Sequence, residues 1–130
     1  MVKVMKLLQE VINLPLQIDS SSPEAIEKAC RYYNGKPLIN SVNGKDETME
    51  AVFPVVKKYG GVVIGLALDE NGIPPKAEQR FEIAKKIINK AKEYGIDKKD
   101  IIIDCLVLTA SAQQKEVMET IKAVSMVKTL

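Results

Sequence analysis

Four short apolar runs, PLQID (15–19), KPLIN (36–40), VVIGLAL (62–68) and DIIID (100–104), punctuate the chain, with helix-like stretches before, between and after them. In the first stretch Val4, Leu7, Leu8 and Val11 recur at helical spacing, and Asn13 and Pro15 end it. In SSSPEAIEKACRYYNG, Ser22 suits an N-cap and Pro23 a first turn. Ile26, Ala29, Cys30 and Tyr33 share a face, and Asn34-Gly35 closes the helix. Residues 46–59 place Met49, Val52, Phe53 and Val56 together, with Pro54 predicted to kink the helix or move its start later; Gly60-Gly61 stops it. Residues 76–94 carry Phe81, Ala84, Ile87, Ile88 and Ala91 before Gly95. A last helix, about 114–127, carries Val117, Met118, Ile121 and Val124.

The order α-β-α-β-α-β-α-β-α predicts a parallel sheet with right-handed crossovers. Two architectures satisfy it. One is a small doubly wound sheet of flavodoxin type. The other is part of an eight-stranded βα barrel, which as a whole needs ~250 residues. A chain of 130 residues that begins and ends with a helix favours the barrel fragment: four parallel strands alternating with about five helices.

Composition narrows the function. A formal charge of +2, with lysines scattered, gives no basic surface for nucleic acid or membrane. The chain has no histidine and two cysteines, Cys30 and Cys105, in no metal-like or redox-like spacing. That argues against a zinc site and for two buried reduced thiols. The opening MVKVMKLLQEVI lacks the continuous apolar core and small-residue cleavage site of a signal peptide, and no run approaches a membrane span. A cytoplasmic protein is the expectation.

The fourth run raises a problem. Ile101–Ile103 read as a strand buried on both faces, yet it ends in Asp104. A carboxylate is costly in an apolar core unless compensated. Two other strands also end in polar side chains, Asp19 and Asn40. In a parallel α/β fold the carboxyl ends of the strands share one crevice, where ligands bind. Each residue also has a purely local reading: Asp19 in the Ser20–Ser22 turn, Asn40 in NSVNG, Asp104 in its own exit loop. Taken together on one rim, they favour a site. Two carboxylates and an amide form a recognition set rather than a proton-transfer set, and no residue stands out as catalytic. A carboxylate pairs with two adjacent coplanar donors, as on an aminopyrimidinone edge, and an amide suits an edge of mixed polarity. A bicyclic nitrogen heterocycle fits better than a phosphate, and neither phosphate-binding glycine motif occurs.

The segments LPLQIDSSSPEAIEKA, KPLINSVNG, GVVIGLALDENGIPPKAEQR and DIIIDCLVLTAS resemble the pterin-binding barrel of methyltetrahydrofolate–corrinoid methyltransferases. That family includes the folate domain of cobalamin-dependent methionine synthase and the methyltransferase acting on the corrinoid iron–sulfur protein; dihydropteroate synthase is a more distant relative. The resemblance implies that Asp19, Asn40 and Asp104 hold the pterin ring, with Ser41 and Asn43 on the rim. It implies methyltetrahydrofolate as substrate and cobalamin or another corrinoid, on a partner domain or protein, as methyl acceptor. Relatives often have proline where this chain has Cys105. The ENGIP loop (70–74) resembles the family loop beside the folate and corrinoid faces, though it also reads as a plain turn-rich connection. The family's next strand carries a G-[VL]-S-N motif that is absent here, so residues 1–130 read as the middle half of the barrel, from its second helix to its sixth. Two other functions fit the pattern less well: a dihydropteroate synthase-like enzyme, and a non-catalytic flavodoxin-like interaction module.

A four-stranded piece of barrel leaves two open sheet edges, which invite pairing with another chain. The chain is therefore expected to form homo-oligomers and to show little or no transferase turnover alone. Sedimentation should show a dimer or larger species at high concentration; a stable monomer there would contradict this.

Overall fold

The computed structural model describes residues 1–109 and 114–130. The elements are α1 (Val2–Val11), β1 (Gln17–Asp19), α2 (Pro23–Tyr32), β2 (Leu38–Asn43), α3 (Asp46–Tyr59), β3 (Val62–Leu66), α4 (Ala77–Glu93), a short 3₁₀ turn (Lys98–Asp100), β4 (Ile101–Asp104) and α5 (Gln114–Val127). The expected exit loop after β4 falls partly on residues 110–113, outside the described residues.

The four strands pair in chain order, β1-β2-β3-β4, all parallel. Successive right-handed crossovers between neighbouring strands must return every helix to the same face. A doubly wound sheet would break the order and carry helices on both faces. The chain is therefore an arc of a (β/α)8 barrel, with no flavodoxin-like order.

The side-chain alternation shows which face is which. Ile18, Ile39, Val42 and Val63 are buried against Ile26, Ala29 and Cys30 of α2, Met49, Val52, Phe53 and Val56 of α3, and Ile83, Ile87 and Ala91 of α4. Each fully buried aliphatic contributes roughly 1.5–3 kcal/mol. Leu38, Val62, Ile64 and Leu66 alternate onto the other face, where they are only half-buried. Ile102 is 47% exposed there, so β4 is not buried on both faces as its sequence suggested. It is an edge strand whose second face has no cover.

Local signals account for most element ends. The Ser22 hydroxyl accepts from the Ala25 N–H at 3.2 Å, with Pro23 in the first turn of α2. Gly60 takes a left-handed φ of 62° and stops α3. Pro54 neither delays the start of α3 nor ends it. Pro54 and Glu50 are both exposed, so the carbonyl that loses its donor lies on the solvent side. The strand β2 runs to Asn43, beyond the expected 36–40, because its register with β3 shifts between Asn40 and Val42 and pairing then resumes.

The terminal helices carry uncovered apolar stripes. Val4, Leu7 and Val11 of α1 are exposed, as are Met118, Ile121 and Val124 of α5. The first lies beyond the β1 edge and the last beyond the β4 edge, so each has a neighbouring helix on one side only. Both cysteines are free and buried, and burial pushes the Cys30 thiol up to about 11. Cys105 packs with Ala77 and Ala123 where α4 meets α5.

At that junction Glu119 of α5 caps α4 from 42 residues away, accepting from the Ala77 N–H at 3.0 Å. The Lys122 ammonium, 2.6 Å from Glu119, and this N–H hold the Glu119 carboxyl below its ordinary 4.5. The folded state thus holds fewer protons than the unfolded state. The stabilisation is complete above pH ~4.5 and is lost as pH falls through the folded value. Thermal melts should show a smaller acid-induced fall in Tm for Glu119→Gln than for the parent; equal falls would contradict the linkage. The loop after β2 has its own constraint, because a Cβ on Gly44 would lie 2.8 Å from Ile83 and 2.9 Å from the Leu68 carbonyl. Gly44→Ala should cost about 1–3 kcal/mol in denaturant unfolding; an unchanged midpoint would contradict this packing.

Candidate functional site

The carboxyl ends of the strands, on the face without helices, carry the polar residues singled out in the sequence. In the register, Asp19 of β1 lies beside Asn40 of β2, and Asn40 beside Ile64 of β3. Past the register shift, Asn43 lies beside Leu66, and Leu66 beside Asp104 of β4. The peptide between Asn40 and Ser41 is cis. Because the register shifts at Ser41, Asn40 and Asn43 both alternate onto the open face, with Val42 buried behind them. Bulges of this kind commonly re-aim side chains beside binding sites.

Asp19, Asn40, Ser41 and Asn43 line one cavity of about 420 Å³, together with Ser20, Ser21, Glu47 and Thr48. Asp104 does not line it. From Asn40, Asp104 is two strand spacings away, about 10 Å, and about 7 Å further along the strands. The three residues thus share a face and an end of the sheet, but only two share a cavity. Ile64 and Leu66 alternate onto the same face between them but do not line that cavity, whose apolar wall is Pro23 and Ile26 of α2 and Ala51 and Val52 of α3. Sequence reasoning missed which face Ile64 and Leu66 take, because every position of VVIGLAL is apolar or glycine and its alternation is silent.

Hydrogen bonding separates these residues further. The local role open to Asp19 is taken by Ser20, whose hydroxyl accepts from the Ser22 N–H at 3.1 Å. The role open to Asn40 is taken by Asn43, whose Oδ1 accepts from the Lys45 N–H and the Thr48 hydroxyl, each at 2.9 Å. Among the described residues, no hydrogen bond or ion pair engages the Asp19 carboxylate or the Asn40 amide. Asn43 is therefore committed to the turn into α3, whereas Asp19 and Asn40 are available. Asp104 is intermediate. Its Oδ1 accepts from the Leu106 N–H at 2.8 Å, as the local reading anticipated, and Oδ2 has no partner among the described residues.

The turn that holds Asp104 is unusual. Leu106 has a φ of 59°, a left-handed conformation that costs a leucine roughly 1–2 kcal/mol. Its carbonyl and that of Cys105 accept from the buried Arg80 guanidinium at 2.8 and 3.0 Å. Sequence reasoning also missed Arg80, which reads as one more charged position on a long helix.

The 70–74 loop is a tight turn closed by hydrogen bonds in both directions between Asp69 and Gly72. It borders a separate cavity of about 470 Å³. Among the described residues no group of three or more acidic or thiol side chains could hold a metal ion. No described helix is long and apolar enough to cross a membrane.

Comparison with known proteins identifies the family. Methionine synthase of Mycobacterium leprae (strain TN) is 31% identical over 131 residues, covering 93% of this chain and 11% of the relative. Methionine synthase of Mycobacterium tuberculosis (strain ATCC 25618 / H37Rv) is 30% identical, covering 88% of this chain and 10% of the relative. The methylcorrinoid:tetrahydrofolate methyltransferase of Eubacterium limosum is 28% identical over 112 residues, covering 85% of this chain and 41% of the relative. The chain thus spans about a tenth of the methionine synthases and about two fifths of the methyltransferase. The pterin binding enzyme family matches residues 1–130, and the chain belongs to that family.

Proposed function

We propose that this chain binds methyltetrahydrofolate by its pterin ring and serves a methyltransferase that passes the methyl group to a corrinoid. The observation that carries the reading is the pair formed by Asp19 and Asn40. They are adjacent in register, on the open face, and have no described hydrogen-bond partner. The Asp19 carboxylate can accept from two adjacent N–H donors of an aminopyrimidinone edge, in charge-assisted bonds. The Asn40 amide can donate and accept along the next part of the ring. Ile64 and Leu66 offer the apolar surface that a flat heterocycle covers, and Asp104 Oδ2 receives a further donor at its far side. Ser41 and Asn43 belong to the rim.

The corrinoid, carried by a partner protein or domain, supplies the methyl-accepting centre. The residues of this chain fix the ring, restrict its rotation and keep its polar edge satisfied, so that the methylated side faces outward. Orientation of this kind lowers the entropic part of a barrier. None of the three ring-binding side chains is assigned the proton that the departing nitrogen needs. With half of a barrel wall present, the chain holds the ring loosely and turns over little by itself. Its open β1 and β4 edges and the exposed apolar faces of α1 and α5 favour association, and the reading places it in the cytoplasm.

Calorimetric titration with methyltetrahydrofolate and with a bare pterin tests this. Both should bind, and Asp19→Asn and Asn40→Ala should each weaken binding at least tenfold, about 1.4 kcal/mol. Failure of the unmodified protein to bind either compound, or unchanged affinity in both variants, would contradict the reading.

A further inference from the structure

We propose that Arg80 is a positioning residue for the pterin, acting through the turn that aims Asp104. This rests on the pterin-binding reading. Arg80 is 1% exposed, the one buried charged side chain among the described residues. No carboxylate pairs with it there. Its Nε donates to the Pro74 carbonyl at 2.7 Å. Its Nη1 donates to the carbonyls of Cys105 and Leu106 and, at 2.6 Å, to the Thr120 hydroxyl. One guanidinium thus joins the loop after β3, the turn after β4 and helix α5.

A buried charge satisfied by neutral acceptors is costly unless their dipoles are fixed around it. The fixing works in both directions. With the carbonyls of residues 105 and 106 held, both peptides flanking Leu106 are held too. Leu106 stays at its φ of 59°, which an unrestrained leucine leaves. The Leu106 N–H then points at Asp104 Oδ1, 2.8 Å away, which directs Oδ2 toward the open face. Thr120 supports the same carbonyl, donating to the Leu106 oxygen at 2.9 Å. A lysine could not replace this planar fork, since it offers one point of charge. Arg80 itself lies on the helix side and does not line the cavity of Asp19 and Asn40.

The test uses Arg80→Lys, Asp104→Asn and the double variant, with two readouts. The first is methyltetrahydrofolate affinity; the second, needing no ligand, is amide hydrogen exchange at Leu106 by NMR. Arg80→Lys should weaken binding at least fivefold and speed Leu106 exchange at least tenfold. The double variant should bind no worse than about twofold below Asp104→Asn, because both changes act through one carboxylate. Affinity unchanged in Arg80→Lys, or losses that multiply in full in the double variant, would overturn the proposal. If Arg80→Lys does not fold, Thr120→Val decides: faster Leu106 exchange with a two- to threefold weaker affinity supports the proposal, and neither change overturns it. If the unmodified protein binds no folate, the functional reading fails. The Arg80 turn is then judged by exchange alone, and unaltered Leu106 exchange overturns it as well.

Discussion

Parallel pairing of consecutive strands is the constraint on which everything else rests. Once β1, β2, β3 and β4 pair in chain order, right-handed crossovers place the helices behind the sheet and leave the other face open. They also bring all four carboxyl ends to one rim. A polar residue at the end of a strand then faces solvent and a neighbouring strand end at once. Asp19 and Asn40 become neighbours in this way although 21 positions apart in sequence.

The rim is selective because its turns satisfy themselves with other residues. Ser20, Ser22, Asn43 and Thr48 meet the needs of the loops after β1 and β2. That releases Asp19 and Asn40, which would otherwise be natural turn residues. After β4 the solution differs: Asp104 gives one oxygen to its own turn, and Arg80 holds that turn from behind. Gly44 and Lys86 act similarly on the loop after β2. The Gly44 N–H donates to the Leu68 carbonyl at 2.7 Å, and the Lys86 ammonium donates to the Gly44 carbonyl at 2.7 Å. The open face is thus flanked by loops tied to their neighbours.

Much of this was legible in the sequence, where the physics is local. Ser22, Pro23, Gly60 and the spacing of Met49, Val52, Phe53 and Val56 marked elements that the structure contains. The polar strand ends marked the rim. What was illegible depends on neighbours distant in the chain. Nothing in IIID says that β4 is an edge strand with Ile102 at the surface. The spacing in α1 and α5 marks an apolar stripe, but a stripe records only that a face is apolar, not whether something covers it. The extension of β2 through Ser41 needs β3 beside it. Arg80 became informative only once its acceptors, 6 to 40 residues away, were assembled around it.

The central claim is that the Asn40 amide is free for ligand while the Asn43 side-chain oxygen, three residues on, is committed to a turn. Side-chain amide resonances distinguish the two directly. On titration with methyltetrahydrofolate, the Asn40 NH₂ pair should shift and slow its exchange with water by more than the Asn43 pair on the rim does. A shift confined to Asn43, with Asn40 unmoved at saturation, would contradict the account.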